Sequence, residues 1–275
     1  LILHAHHPDY LDNSFHDLSD PPSLAKFRDG SHVFVLKKGL PVSGVVLDRA
    51  GKPIAGATVA NGRDQAASHN PTVVTDAKGQ FHFAHAAPGE LVLVAQAKGY
   101  APDLQELKVE PRMQPVAFTL GPPHSVRGRV VDGTGKGISG AWITVDRWRG
   151  YRSLDIKVVA DADGKFRIDD LPESPVEFQF YKNGFMNLPN QSLAPSDQEI
   201  TITLNRPLAI SGTVTDAKTG KPIESFTMFE GYGQGNWDRN RPRQFHDGRY
   251  TRNITWPIPK LHLLRVEAEG YLPAD

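Results

Sequence analysis

The sequence predicts an all-β protein built from tandem β-sandwich modules, and three observations predict it. Apolar and polar residues alternate with period 2: Val176, Phe178 and Phe180 against Glu177 and Gln179, and Ile200, Ile202 and Leu204 against Thr201 and Thr203. That is the mark of a strand with one buried face. Turn signals containing Gly or Pro recur every roughly 8 to 15 residues, and no stretch sustains the i, i+3, i+4, i+7 spacing of an amphipathic helix. The third observation is self-similarity. Val42-Ser43-Gly44-Val45-Val46-Leu47-Asp48 returns as Val126-Arg127-Gly128-Arg129-Val130-Val131-Asp132 and as Ile210-Ser211-Gly212-Thr213-Val214-Thr215-Asp216. Successive central glycines stand 84 residues apart, and a fixed period of this kind marks a repeat architecture.

Along the chain the elements follow this period. Leu36, Leu120 and Leu204, again 84 apart, each end an apolar strand, so residues 1–40 read as the C-terminal half of a truncated module. Leu1, Leu3 and Ala5 then match Leu91, Leu93 and Ala95, and one short helical turn is allowed near residues 23–27. Leu1, Leu3, Phe34 and Leu36 would lack a partner sheet, so this half-unit is expected to lean on the next module or to be poorly ordered.

Residues 41–122 form module 1 and residues 123–206 module 2. Each opens on the Gly-centred strand, continues through a turn and reaches a hairpin: Asp76-Ala77-Lys78-Gly79-Gln80-Phe81 in one, Asp161-Ala162-Asp163-Gly164-Lys165-Phe166 in the other. The Asp side chain can cap the turn backbone and the Gly supplies positive φ. Phe81 with Phe83, and Phe166 with Ile168, then point into the core, where each buried Phe contributes roughly 2–3 kcal/mol. Gly99-Tyr100 and Gly184-Phe185 close a later strand of each module, and Gly270-Tyr271 does so in the third. Short joints are expected near residues 121–124 and 205–209, stiffened by Pro122, Pro123 and Pro207. Residues 207–275 form module 3, with a weaker hairpin at His246-Asp247-Gly248-Arg249-Tyr250. Its last strand would fall beyond residue 275, so an unpaired sheet edge is expected there, and the chain reads as a fragment of a longer array.

Composition bounds the function. The 275 residues carry 31 Lys+Arg against 31 Asp+Glu and no cysteine. Zero net charge gives no electrostatic reason to bind nucleic acid or an anionic membrane. Without cysteine there are no disulfides, thiolate metal sites or cysteine nucleophiles. No apolar run approaches the roughly 20 residues that span a bilayer, and the opening Leu-Ile-Leu-His-Ala is no signal peptide.

The order of a V-x-G-x-V-x-D strand, the turn Gly51-Lys52-Pro53-Ile54-Ala55-Gly56-Ala57, a T-D-x-x-G-x-F hairpin from Thr75 and a closing Gly-Tyr resembles the carboxypeptidase regulatory-like domain, a transthyretin-like sandwich. The third copy departs from it, with Ser225-Phe226 in place of Gly-Ala and no hairpin Thr-Asp. The resemblance implies Ig-like, transthyretin-like Greek-key sandwiches of about seven strands. It also implies an exported bacterial protein, extracellular, at the cell surface or periplasmic, and a module without catalytic residues or cofactors.

Several motifs invite chemistry. Gly135-Lys136-Gly137-Ile138-Ser139-Gly140 has dinucleotide spacing, but the required helix is replaced by the strand-like Ala141-Trp142-Ile143-Thr144-Val145. Asp161-x-Asp163-Gly164 suggests calcium, yet the later loop ligands are missing. His4 and His6 would share one face of a strand and could bind a metal with a third ligand, the other reading being a solvated face. No nucleophile elbow, zincin helix or nucleophile–base pair stands out.

The segment that varies most between copies carries the aromatics. It runs Asn61-Gly62-Arg63-Asp64-Gln65 in the first copy and Arg147-Trp148-Arg149-Gly150-Tyr151-Arg152 in the second. In the third, residues 232–241 include Tyr232, Trp237 and Arg239. A rigid framework displaying variable loops is where binding concentrates. Trp148, Tyr151, Arg152, Tyr232, Trp237 and Arg239 are therefore the candidate ligand contacts, able to stack on a sugar or anchor a protein. The other reading has these rings cover the sandwich edge or pack between modules with Arg stacked on them. The sequence thus reads as a non-catalytic stalk, spacer or protein-interaction array joined to other domains of a parent protein. The alternative is a set of carbohydrate-binding accessory modules of a secreted hydrolase.

Overall fold

The computed structural model describes residues 2–3, 10–11, 16–17, 21–33, 35–62, 72–231, 235–257 and 263–275. Its N-terminal part holds a two-residue antiparallel pair, β1 (Ile2–Leu3) with β2 (His16–Asp17), and one helix, α1 (Pro21–Arg28). Two prolines open α1, where their missing N–H groups cost nothing. Gly30, at φ 74°, ends it together with the Asp29 carboxylate, which accepts the Ser31 N–H at 2.9 Å. The single turn expected at residues 23–27 is thus an eight-residue helix. Leu1, His4, His6 and Phe34 lie outside the described residues. A Cβ at Gly39 would lie 2.8 Å from the backbone of Ala86 on one side and from Leu11 Cδ2 on the other, so the chain passes close to the first sandwich there.

The first sandwich contains β3 (Leu40–Asp48), β4 (Thr58–Gly62), β5 (Thr72–Val74), β6 (Gln80–Ala86), β7 (Gly89–Gln96), β8 (Asp103–Val109) and β9 (Val116–Leu120). They form two sheets, ordered β6-β3-β9 and β5-β4-β7-β8. Every pairing is antiparallel except β3 with β9, which run parallel with Gly44 opposite Val116.

The second sandwich repeats this with β10 (His124–Val131), β11 (Trp142–Arg147), β12 (Lys157–Val159), β13 (Lys165–Leu171), β14 (Val176–Tyr181), β15 (Leu188–Leu193) and β16 (Glu199–Thr203). Its sheets are β13-β10-β16 and β12-β11-β14-β15, again with one parallel pair, Gly128 opposite Ile200. The third unit has β17 (Leu208–Thr213), β18 (Ser225–Gly231), β19 (Arg243–His246), β20 (Arg249–Ile254) and β21 (Leu263–Glu267), in sheets β17-β20 and β19-β18-β21. The fold is therefore all-β, in open two-layer sandwiches repeated along the chain. Among the described residues β17 has one neighbour where β3 and β10 each have two.

Side-chain caps explain the regularity of the turns. Asp76 Oδ1 accepts the N–H groups of Lys78 and Gln80, and Asp161 Oδ1 those of Asp163 and Lys165, each at 2.8–2.9 Å. Gly79 and Gly164 follow at φ 71° and 79°, which an L-residue adopts only at a cost. Asp161, the calcium candidate, is therefore a turn cap. The aspartate ending each Gly-centred strand does the same work at the next turn: Asp48, Asp132 and Asp216 accept N–H groups two residues on. The glycine string 135–140 is a turn leading into β11, without the helix a dinucleotide site requires.

Two separate cores result. Val42, Val46, Val59, Phe81, Leu93, Phe118 and Leu120 lie in the first. Val126, Val130, Ile143, Phe166, Phe178, Phe180 and Leu204 lie in the second. As the hairpin positions require, Phe81, Phe83, Phe166 and Ile168 are all buried.

Candidate functional site

The loop after β11 turns back on itself at once. Trp148 and Tyr151 exchange backbone hydrogen bonds at 2.9 and 3.0 Å, and the two residues between them, Arg149 and Gly150, have φ 52° and 84°. Two successive positive φ values are the signature of a type I′ hairpin turn. Arg147 Nη1 donates to the Gly150 carbonyl at 3.0 Å and braces it. Arg152 pairs with Asp146 at 3.1 Å across the loop base.

Inside this frame Trp148 is a core residue. It is 4% exposed and its indole N–H donates to Ser174 Oγ at 2.8 Å. A buried indole needs such a partner, because an unpaired donor costs about 1–3 kcal/mol. Tyr151 packs against the same core. The buried Trp148 ring is not presented as a stacking surface for a sugar, and Tyr151 is half-buried.

What the loop does touch is the preceding sandwich. Arg149 Nη1 donates to the backbone carbonyl of Leu104 on β8 at 3.0 Å. Val94 and Leu104, both buried, belong to the second core although they sit on strands of the first sandwich, and Val92 packs beside them. β7 is consequently buried on both faces: Leu91, Leu93 and Ala95 face the first core, Val92 and Val94 the second. Within the first unit, the Ala101 N–H donates to the Gly121 carbonyl at 3.0 Å and fixes the end of the module beside this joint.

In the third unit Trp237 lies against Gly231, where a Cβ would fall 2.7 Å from the indole ring. Its exposed side is capped by Arg265, whose Cζ stands 4.7 Å from the ring centroid. Arg265 is held there by Asp275 through bonds of 2.6 and 2.9 Å. That hydrogen bond keeps the Asp275 carboxyl below its ordinary pKa and raises the guanidinium. Arg239 lies over the Phe229 ring at 4.9 Å and pairs with Glu267 at 2.7 Å. Tyr232 lies outside the described residues, as do Arg63, Asp64 and Gln65 of the first copy's loop. The structure therefore brings Trp148, Tyr151 and Arg152 together in one loop and Trp237 and Arg239 in another. Among the described residues no group of three His, Asp or Glu is placed to hold a metal. No helix there is long and apolar enough to cross a membrane.

The residues missed by sequence reasoning are Arg149, Ser174, Val92, Val94 and Leu104. One signal was available: Leu91-Val92-Leu93-Val94-Ala95 is an unbroken apolar run, which marks a strand buried on both faces. The equivalent Val176-Glu177-Phe178-Gln179-Phe180 alternates. Missed too is a ladder across the outer face of the second sandwich. Trp142 stacks on Tyr181 with centroids 6.2 Å apart, and Lys157 Nζ lies 4.0 Å from the indole centroid. Such cross-strand pairs contribute roughly 0.2–1 kcal/mol each and fasten the short edge strand β12.

A family model described as the carboxypeptidase regulatory-like domain matches residues 41–121 and again residues 125–205. No curated protein matches the chain. Among solved structures it is similar to a Streptococcal ancillary pilin, at 16% identity and TM-score 0.31, over 63% of this chain and 65% of that one. It is also similar to the Bacillus anthracis TIE protein, at 13% identity and TM-score 0.28, over 88% of this chain and 48% of that one. A third likeness is to the shaft pilin SpaA of Lactobacillus rhamnosus GG, at 13% identity and TM-score 0.27, over 61% of this chain and 97% of that one. The chain thus spans less than two thirds of the first two of these proteins.

Proposed function

The chain belongs to the carboxypeptidase regulatory-like domain family, since the matched segments make up more than half of it, and from that premise we propose that it is a non-catalytic spacer or protein-interaction array of an exported bacterial protein. Its working units are residues 41–122, 123–206 and 207–275, with residues 1–40 as a partial unit ahead of them. The parent's other domains are its natural partners, and an extracellular, surface or periplasmic setting follows from the family's habit.

One observation carries this reading. The loop that varies between copies, where a binding module would present its ligand contacts, is instead the joint between the first two sandwiches. Trp148 is in the core, Arg149 bonds to Leu104, and Val92 and Val94 complete an apolar contact. A spacer needs its beads fixed relative to one another, and a buried joint supplies that where a bare linker would not. The carbohydrate reading requires open ring faces. Trp148 has none, and the outer face of Trp237 is covered by Arg265.

Small-angle scattering on the full chain tests the spacer reading, with glycan binding measured alongside. The expected result is a scattering profile matched by one fixed arrangement of the first two sandwiches, and no binding to any member of a polysaccharide panel. Saturable glycan binding that is abolished in Trp237→Ala would overturn it in favour of the accessory-module reading.

A further inference from the structure

Two Asn-Gly pairs occur in the chain, Asn61-Gly62 and Asn183-Gly184. Asparagine before glycine is self-reactive: with no Cβ in the way, the glycine nitrogen reaches the side-chain carbonyl carbon and closes a five-membered ring. The fold treats the two pairs in opposite ways. Asn61 is 8% exposed, and its pair lies in the ladder of β4 with β7, Asn61 opposite Leu93 and Gly62 opposite Val92. A paired strand holds both groups in place. Asn183 and Gly184 are instead exposed at the tip of the turn between β14 and β15, which Phe185 N–H closes onto the Lys182 carbonyl at 3.0 Å. Gly184 has φ 86°, as the third residue of a type II turn requires. Among the described residues, neither its N–H nor the Asn183 side chain has a hydrogen-bond partner.

The other copies build the same turn from different chemistry. Ala97-Lys98-Gly99-Tyr100 and Ala268-Glu269-Gly270-Tyr271 close it with Tyr N–H to Ala carbonyl bonds of 3.1 and 3.2 Å, and their glycines have φ 83° and 80°. Lysine has no carbonyl to attack, and glutamate would need a six-membered ring and the loss of hydroxide. The second copy's turn also leads straight into a joint. Met186 N–H donates to the Asn205 carbonyl at 2.8 Å, and Asn187 N–H to the Thr255 carbonyl of the third unit at 2.6 Å. On its other side Lys182 Nζ is anchored to the Gly140 carbonyl at 3.2 Å. A backbone lengthened at residue 183 is therefore held behind and must shift ahead, toward Asn187.

We propose that Asn183 converts itself to isoaspartate and so loosens the joint between the second and third units as the protein ages. The Gly184 nitrogen bonds to Asn183 Cγ, the Cγ–Nδ2 bond breaks, and the side-chain amide leaves as ammonia with the proton from Gly184, so that a succinimide remains. Water then opens the ring. Attack at the backbone carbonyl carbon leaves the chain running through Cβ and Cγ, one atom longer, as isoaspartate; attack at Cγ gives ordinary aspartate. Both products carry a new negative charge, and only the first lengthens the turn. The inference concerns the chain's own chemistry and does not rest on the spacer reading.

The full-length chain, incubated at mildly alkaline pH, is mapped by peptide mass spectrometry, with isoaspartyl methyltransferase labelling to tell isoaspartate from aspartate. The expected result is isoaspartate accumulating at residue 183 many-fold faster than at residue 61, and similar rates at both once the chain is unfolded in urea. Asn183→Gln should remove the product, while Lys98→Asn should create a second reactive turn in the first sandwich at a comparable rate. Hydrogen exchange at the Asn187 amide should speed up several-fold in the aged chain. It should keep its starting rate in Asn183→Asp, which has the charge without the longer backbone. Equal rates at 61 and 183 in the folded chain would overturn the proposal, as would no product at 183 under conditions that convert the unfolded chain. Unchanged exchange at Asn187 in a fully converted chain would overturn its effect on the joint.

Discussion

Arg149, in the second sandwich, donates a hydrogen bond from its guanidinium to the backbone carbonyl of Leu104 in the first, at 3.0 Å. It does so from a left-handed backbone conformation, φ 52°, so the residue carries strain at the turn and a bond across the joint together. A charged donor to a carbonyl is worth about 1.5–3 kcal/mol. Arg149→Ala should therefore lower the stability of the full chain by about that amount, since it keeps the strained φ and loses the bond. Arg149→Gly should cost less, because glycine relieves the strain. Calorimetric melts of both variants check the order, and a glycine variant as unstable as the alanine one would mean that the turn carries no strain.

The joint is apolar behind that bond. Val94 lies between the two cores, while the equivalent position on β14 is Gln179, half-exposed on an outer face. Val94→Asp should cost roughly 3–5 kcal/mol by leaving an uncompensated charge in the joint. Gln179→Asp should stay within about 0.5 kcal/mol of the parent. Chemical denaturation with matched slopes checks this pair.

That contrast also shows how far the sequence could be read. Period 2, the repeat and the Asp-capped glycine turns are local signals, and each has a local cause in strand pleat or turn geometry. They gave the sandwiches and the inward Phe81 and Phe166 directly. The fate of Trp148 was different. Its own segment looks like an exposed loop, rich in Arg and Gly, and its burial depends on Ser174, 26 residues away, and on the face of another unit. Side chains that face a neighbour instead of solvent leave a trace only on the receiving strand, as in the unbroken run from Leu91 to Ala95. Arg265 over Trp237 leaves no trace at all, since the pair comes together from a strand and a loop with no fixed spacing.

Three aspartates make the fold sensitive to acid in a predictable direction. Asp132 is held below its ordinary pKa of 3.8 by hydrogen bonds from Thr134, Asp216 by those from Thr219, and Asp275 by that from Arg265. A carboxyl whose folded pKa is depressed contributes stability that is fully present above its unfolded value and is lost as pH falls through the folded value. Melting temperature should therefore be flat from pH 7 to about 5 and fall progressively below about 4 as these groups protonate. Asp275 is exposed and Asp132 and Asp216 are half-exposed, so the fall should be gradual. Asp132→Asn and Asp216→Asn should flatten it, with side-chain carbonyl shifts in NMR reporting each titration.

The repeated glycines provide the sharpest comparison, because the same residue does different work in successive copies. At Gly44 a Cβ would lie 2.1 Å from the Val116 carbonyl oxygen and 2.5 Å from the Phe81 ring; at Gly128 it would lie 2.6 Å from the Ile200 carbonyl oxygen. In both, backbone of the parallel strand fills the space, and backbone cannot step aside without breaking its ladder. At Gly212 the nearest atoms all belong to the Tyr250 ring, from 2.6 Å outward. A half-exposed ring on an edge hairpin can rotate away. Gly44→Ala and Gly128→Ala should each cost about 3 kcal/mol or more and splay β9 or β16 from its partner, whereas Gly212→Ala should cost about 1 kcal/mol. Amide hydrogen exchange separates the cases: protection should drop across β9 or β16 in the first two variants and stay local to β20 in the third. A Gly212→Ala chain as disrupted as the others would mean that the Tyr250 side chain is held as firmly as the parallel strands are.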